Sequence, residues 1–211
     1  MYVSVHAQKV NPYRDSLKIA VNQLSFFPDS IDLLLKKAAW NIELEEWEYA
    51  KDTYDKVLYL NPGNIAALYY RAYTNEKLKR FNFARMDYEN LLSLIPGNFE
   101  AQFGLAILNQ KDKRYTEAFD QLNSLISQYP DSAIAYAARG GLEVDRKMYD
   151  LALDDYSMAI SKSPNNKDYR LNRIDLYIKL GKYNNAKNEL DWLVSSGTPR
   201  AFLLEQYRRL K

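Results

Sequence analysis

The sequence contains no cysteine among its 211 residues. Disulfides, thiolate metal sites and cysteine nucleophiles are therefore all excluded. Glycine and proline are scarce, at 7 each, whereas tyrosine is plentiful, at 18. Few turn residues and many large amphipathic side chains suit packed helices better than a strand-rich fold.

Charge of one sign is also lacking, because 29 basic residues nearly balance 27 acidic ones and leave a net charge of +2. Nucleic acids and anionic membranes are bound through concentrated basic faces, so neither is an expected partner. No apolar run reaches the roughly 18 residues of a transmembrane helix, so we predict no membrane span. The hydrophobic fraction of 47% is sufficient to build a folded core.

What the sequence does contain is a repeat of 34 residues. Five of the seven prolines fall in one register: Pro28, Pro62, Pro96, Pro130 and Pro164. Two residues after each proline stands a residue typical of a helix N-cap: Ser30, Asn64, Asn98, Ser132 and Asn166. An aromatic residue then recurs where a second helix is expected to begin: Trp47, Phe81, Tyr115, Tyr149 and Tyr183. Small residues lie where the two helices would cross closely: Ala38, Ala72, Ala106 and Gly140.

This pattern of small residues, aromatic residues and proline at 34-residue spacing resembles the tetratricopeptide repeat. The resemblance covers residues 13–198 and implies an all-α fold, a right-handed α-solenoid of antiparallel helix pairs. We expect one solenoid over residues 11–211, with a half repeat at 11–30 and full repeats from 31, 65, 99, 133 and 167. The RNA-binding pentatricopeptide repeat is disfavoured by the strict spacing, the periodic prolines and the near-neutral charge.

At the C-terminus we predict a capping helix over residues 199–211, with Thr198 as its N-cap and Pro199 as its first residue. Leu203, Tyr207 and Leu210 would face the last repeat. The basic side chains of this helix, including Arg209, are interpreted as solvated rather than as an anion-binding patch.

Residues 1–10 do not fit the repeat. Val5-His6-Ala7 followed by Gln8 resembles the end of a secretory signal, which would give a mature protein that begins at Gln8 in a periplasm or outside the cell. The alternative is an unstructured N-terminus or a frayed first helix, in a cytoplasmic protein.

Residues suited to catalysis are hard to find. His6 is the single histidine, and we find no metal-ligand spacing and no glycine-rich phosphate loop. The acidic pair Asp154-Asp155 is interpreted as solvated or capping charge. We therefore predict that the protein is not an enzyme and uses no cofactor or metal.

In the tetratricopeptide family, the first helix of each repeat lines a concave groove. Carrying its positions over to this sequence predicts a peptide-binding groove formed by Tyr69, Tyr70, Tyr73, Lys77, Phe103, Ile107, Lys111, Ala137, Gly141, Asn172 and Asp175. The aromatic members would act as anchors, and the small residues Ala137, Ala138, Gly140 and Gly141 would leave room for a bulky partner group. The alternative is that the aromatic residues only pack between repeats.

Two functions follow from the resemblance. The first is a module that binds a peptide or helix of a partner protein in the groove. The second is a structural subunit of a larger assembly or of a homodimer, held by its edges or terminal helices. The slots that grip a chaperone C-terminal carboxylate in some family members hold Leu35, Ala39, Tyr70, Glu100 and Gly104, and later registers fit no better. We therefore expect no binding of chaperone C-terminal peptides.

Overall fold

The structure is a computed structural model that describes residues 11–210. The candidate export signal and His6 lie outside the described residues, as does Lys211. Every regular element of the described range is helical, which confirms the predicted all-α class. The helices are α1 (Pro12–Phe26), α2 (Ile31–Glu43), α3 (Trp47–Leu60), α4 (Ile65–Lys77), α5 (Phe81–Leu94), α6 (Phe99–Lys111), α7 (Tyr115–Gln128), α8 (Ala133–Asp145), α9 (Tyr149–Lys162), α10 (Lys167–Lys179), α11 (Tyr183–Ser195), a 3-10 helix (Arg200–Leu203) and α12 (Leu204–Arg208).

The first helix of each repeat begins directly after its predicted cap. The side-chain oxygen of Asn64 accepts a hydrogen bond from the Ala67 N–H at 2.9 Å, and Asn98 caps α6 in the same way. These contacts satisfy backbone donors that have no partner within the helix. Ser30 has the extended backbone of a cap, but its hydroxyl makes no capping hydrogen bond.

The turn between the two helices of each repeat has a feature that the sequence pattern did not reveal. One residue per turn has a positive φ, between 56° and 70°. The last repeat places glycine there, at Gly181, the residue type that adopts this conformation most readily. The other repeats hold residues with side chains in the left-handed region: Glu45, Lys79, Lys113 and Lys147. The aromatic residue that opens the second helix follows two residues later, as in Trp47 after Glu45.

The chain divides into two compact units, the first ending at Leu108 and the second beginning at Asn109. In the first unit the helix pairs α2–α3 and α4–α5 pack together. Their core contains the crossing residues Ala38 and Ala72, both fully buried, together with Tyr54 and Tyr88. Close backbone approach at these alanines lets the larger rings interlock around them.

In the second unit α8 packs on α9 and α10 packs on α11. One core cluster surrounds Ala152, Tyr156 and Leu176. A second surrounds Ile174 and Leu190 and is covered by Leu203 from the C-terminal segment. The C-terminal segment therefore contributes Leu203 to the core of the second unit.

The C-terminal segment differs from the predicted capping helix. The prediction of Thr198 as N-cap and Pro199 as first helical residue is wrong, because Pro199 has an extended backbone and the chain then enters a short 3-10 turn at Arg200. The α-helical part is limited to Leu204–Arg208. Leu203 is buried, and Tyr207 and Leu210 pack against the same cluster, as expected.

Candidate interaction sites in each unit

The predicted aromatic anchors of the first unit are held on a rigid base. Tyr70 is 46% exposed, and its ring stacks on the buried ring of Tyr54 with centroids 6.2 Å apart. Tyr69 is half-buried, meets Tyr70 edge-on at 5.2 Å and contacts the buried Tyr88 at 6.0 Å. Because two core tyrosines fix these rings, their faces are preorganised for contact with a partner.

Beside these rings is a pocket of about 380 Å³, which we call the Tyr69–Tyr70 pocket. Its lining consists of α4 residues, one α5 residue and the start of α6: Ile65, Ala66, Tyr69, Tyr70, Leu91, Asn98 and Glu100. The Asn98 oxygen is already occupied by its capping bond to Ala101. The carboxylate of Glu100 is exposed. The pocket thus offers apolar and aromatic walls with one negative charge.

The other predicted anchors of the first unit pack against neighbours. Tyr73 is half-buried and meets Trp47 edge-on at 6.1 Å. The ammonium group of Lys77 lies 5.1 Å from the Tyr73 ring and 5.5 Å from the Trp47 ring, so it is held by cation–π contacts. Phe103 stacks on Phe99 with centroids 6.0 Å apart. Ile107 is half-buried. Of the four aromatic residues expected as anchors, Tyr70 alone is exposed.

In the second unit the predicted residues Asn172 and Asp175 line a pocket of about 470 Å³. The other lining residues are Val144, Tyr156, Leu176, Lys179 and Arg209. Arg209 is exposed, as predicted, and its guanidinium also pairs with the Asp175 carboxylate at 2.6 Å, a contact that the sequence did not indicate. This pairing follows from the position of the C-terminal segment, which the repeat pattern alone did not place.

The small residues of α8 leave less room than expected. Ala137 and Gly141 are half-buried, whereas Gly140 is buried. A Cβ atom at Gly140 would lie 3.3 Å from the ring of Tyr156, so the tyrosine already fills the space that was expected for a partner. Gly141 is less crowded, with the Tyr156 hydroxyl 3.8 Å from a hypothetical Cβ. Lys111 is exposed.

Sequence reasoning missed a set of buried ion pairs. Arg71 donates two hydrogen bonds to Asp87, at 2.9 and 2.6 Å, and a third to Asp55 at 2.7 Å. Arg139 binds Asp155 in the same bidentate manner, at 2.7 and 2.8 Å. The interpretation of Asp155 as solvated charge is wrong, because the repeat packs it inside with its arginine partner. The signal was an arginine with an acid 16 residues later, as in Arg71 and Asp87.

One carboxyl of the second unit has unusual electrostatics. Glu143 is 5% exposed, and one of its oxygens has no hydrogen-bond partner. Burial raises the pKa of Glu143 from 4.5 to about 7, and the negative charge of Asp155 adds to the increase. The nearby Arg139 opposes the shift without cancelling it. Because the Glu143 side chain lies in the interior of its unit, we interpret its raised pKa as affecting folding stability and not ligand binding.

Residues 11–210 contain no cluster of three histidine, aspartate or glutamate side chains placed to hold a metal ion. Within the same range, no helix has the length and apolar character needed to cross a membrane.

The comparisons with known proteins agree with the repeat pattern. Residues 100–132 match the family model described as Tetratricopeptide repeat. No curated protein matches the chain. One repeat of the chain is thus matched directly by this family model, and the fold of the chain is that of tetratricopeptide-repeat proteins.

Solved structures show the same fold. A tetratricopeptide repeat protein from Parabacteroides merdae ATCC 43184 is 24% identical with a TM-score of 0.77, over 94% of this chain and 78% of that one. YrrB, described as a TPR protein with an unusual peptide-binding site, is 17% identical with a TM-score of 0.59, over 91% of this chain and 99% of that one. A chain of the APC/C hetero-tetramer Cut9–Hcn1 is 14% identical with a TM-score of 0.71, over 86% of this chain and 36% of that one. At these identities the likeness shows the fold, an α-solenoid built from helix pairs.

Proposed function

We propose that this protein is a non-catalytic interaction module that binds a peptide or helix of a partner protein, with the Tyr69–Tyr70 pocket as its main anchoring point. Proteins with this fold generally mediate protein–protein interactions. The observation that carries the proposal is the exposed Tyr70 ring, fixed on Tyr54 and open to the pocket beside it. A rigid aromatic ring at the wall of a pocket provides large contact area at low entropy cost.

The likeness to YrrB supports this proposal, because that protein is described as having a peptide-binding site. The predicted residues of the second unit, Asn172 and Asp175, would form a separate polar contact point on that unit. We assign them a smaller contribution to binding, because Arg209 already occupies Asp175.

The test is affinity capture from a lysate of the native organism with the wild-type chain and two variants. Tyr70→Ala removes the exposed anchor, whereas Tyr49→Ala removes a tyrosine that is 67% exposed on a second helix of the same unit. We expect a partner that is retained by wild type and Tyr49→Ala and is lost with Tyr70→Ala. A partner retained by Tyr70→Ala while circular dichroism shows an intact fold would remove the pocket from the function. Loss of a hot-spot tyrosine costs about 2 kcal/mol or more of binding, roughly thirtyfold in affinity.

The second candidate function, a subunit held by edge surfaces, is favoured by exposed apolar side chains on α1 and near α12. Phe26 and Phe27 at the end of α1 in the first unit, and Phe202 in the second unit, are among the most exposed aromatic residues. The likeness to a chain of Cut9–Hcn1, which is a hetero-tetramer, is consistent with such a role. Light scattering of wild type and a Phe26→Ser variant distinguishes the cases, since an edge-held homodimer would dissociate in the variant.

We also propose export from the cytoplasm, on the basis of the Val5-His6-Ala7 sequence alone. Mass spectrometry of the protein from its native host tests this proposal. A chain that retains Met1 would overturn it.

A further inference from the structure

We propose that the Tyr69–Tyr70 pocket receives a cationic side chain, lysine or arginine, from the bound partner segment, with Glu100 as its counter-ion. The inference rests on the proposed function, since it specifies the chemistry of the same pocket. It commits to a basic residue of a partner protein as the occupant.

The pocket contains one negative charge and no positive charge. Glu100 is the single charged residue among those that line it. Its carboxylate is exposed and has no ion-pair partner among residues 11–210. Burial raises the pKa of the Tyr69 hydroxyl, and the negative charge of Glu100 adds to that effect after the contribution of Tyr70. The field of Glu100 therefore reaches the aromatic wall of the pocket.

The aromatic wall of the pocket also favours a cation. The faces of Tyr69 and Tyr70 carry negative quadrupole charge and attract a cation. The methylene groups of a lysine or arginine can lie along Ile65 and Leu91 while the charged end meets Glu100. A glutamate in this position would be repelled by Glu100, and an apolar side chain would leave the carboxylate unpaired.

The pocket of the second unit provides a contrast. Its acidic residue, Asp175, is already paired with Arg209, and Lys179 lies in the same lining. That pocket supplies its own cations, whereas the pocket of the first unit lacks one. The first unit already contains a lysine bound by aromatic rings, because the ammonium group of Lys77 lies over Trp47 and Tyr73. A cation supplied by the partner would complete the pocket at Glu100 in a similar way.

Glu100 also lies in the first turn of α6, where a negative charge stabilises the helix slightly. This structural role predicts a small stability loss when Glu100 is neutralised and no change in ligand preference. The experiment therefore compares the affinities of peptides that differ in one side chain, and does not depend on the stability of the protein.

The probes are three capped pentapeptides with the sequence alanine-leucine-X-leucine-alanine, where X is arginine, norleucine or glutamate. Binding to the full chain is followed by NMR at the backbone amides of Tyr69, Tyr70 and Glu100. We expect the arginine peptide to bind about fivefold tighter than the norleucine peptide, the ratio that a contact of about 1 kcal/mol produces. The glutamate peptide should bind weakest, and salt should reduce the differences.

Three variants test the role of the carboxylate. Glu100→Gln should bring the arginine and norleucine peptides to similar affinity, and Glu100→Lys should make the glutamate peptide the preferred one. Glu89→Gln, at an exposed glutamate on α5 outside the pocket, should leave the wild-type order intact.

Any of three results overturns the cation inference. The order of peptide affinities is unchanged in Glu100→Gln, the arginine and norleucine peptides bind equally to wild type, or no response is seen at these amides. The proposed function fails separately, when the natural partner is retained by Tyr70→Ala in affinity capture.

Discussion

Gly104 in the middle of α6 is required by the ring of one tyrosine. A Cβ atom at this position would lie 2.6 Å from the Tyr88 Cζ and 2.8 Å from its hydroxyl oxygen. The ring has little freedom to move, because Tyr88 is 1% exposed and its hydroxyl donates a hydrogen bond to Glu76 at 2.9 Å. We therefore predict that Gly104→Ala destabilises the protein, although alanine is the better helix former.

The magnitude follows from two opposing contributions. Alanine in place of glycine inside a helix contributes about 1 kcal/mol of stability. Forcing an extra methyl group into a packed core costs about 1–3 kcal/mol. The clash dominates at Gly104, and we expect a net loss of up to about 2 kcal/mol. At Gly141 the nearest atom would be 3.8 Å away, an ordinary contact. Gly141→Ala should therefore raise stability by about 0.5–1 kcal/mol.

The assay is urea unfolding followed by circular dichroism, with the midpoint and slope compared between variants. A double-mutant cycle identifies the cause, since Tyr88→Leu removes the ring that clashes. The corresponding positions one repeat later hold Leu122 and Ala138, a pairing that already tolerates a methyl group. In the Tyr88→Leu background, adding Gly104→Ala should be neutral or stabilising. An equal loss in both backgrounds, or a Gly104→Ala variant as stable as wild type, would refute the steric argument.

Three further predictions concern buried charge and ligand choice. Arg71→Leu should lower the free energy of unfolding by about 3–5 kcal/mol, because it leaves Asp87 buried without its partner. Arg80→Ala, which breaks the exposed ion pair of Arg80 with Glu48, should lower it by less than about 1 kcal/mol. Urea unfolding measures both. The raised pKa of Glu143 means that the folded state binds a proton more tightly than the unfolded state, so stability should fall as pH rises from about 4.5 to about 7 and then level off. Glu143→Gln should remove up to about 3 kcal/mol of this dependence. Chaperone C-terminal peptides should show no micromolar complex in calorimetry.

Each of these has a clear contrary result. Equal losses for Arg71→Leu and Arg80→Ala would mean that Asp87 finds water or another partner. A stability profile for Glu143→Gln that matches wild type between pH 5 and pH 8 would assign the slope to another group. A tight chaperone-peptide complex would show that this chain binds carboxylates without the expected lysine and asparagine slots.

Much of the fold could be predicted from the sequence because each repeat carries its own local signals. Asn64 and Asn98 stand where a cap is needed, and the helices begin one residue later. Trp47 and Phe81 open the second helices as expected. The C-terminal segment was less predictable, since the 3-10 turn after Pro199 depends on how Leu203 enters the core of the second unit.

The candidate site was only partly predictable. Position within the repeat predicts that Tyr69 and Tyr70 belong to the groove, but their exposure depends on packing against Tyr54 and Tyr88. Glu100 stands at a predicted groove position of its repeat, but the repeat pattern does not show that it lies beside Tyr69 and Tyr70. Its placement at the pocket results from the approach of α6 to α4 and α5.

The sequence by itself determined the repeat length, the helix starts and the all-α class, because caps, prolines and apolar periodicity act over a few residues of chain. Only the tertiary structure decided which polar residues are buried. Asp155 looks like solvated charge in the sequence, yet Arg139, 16 residues earlier, holds it inside the second unit. Contacts between separate helices depend on packing distances that the local sequence pattern does not encode. Tertiary packing therefore decides which side chains are buried and which ones line the pocket.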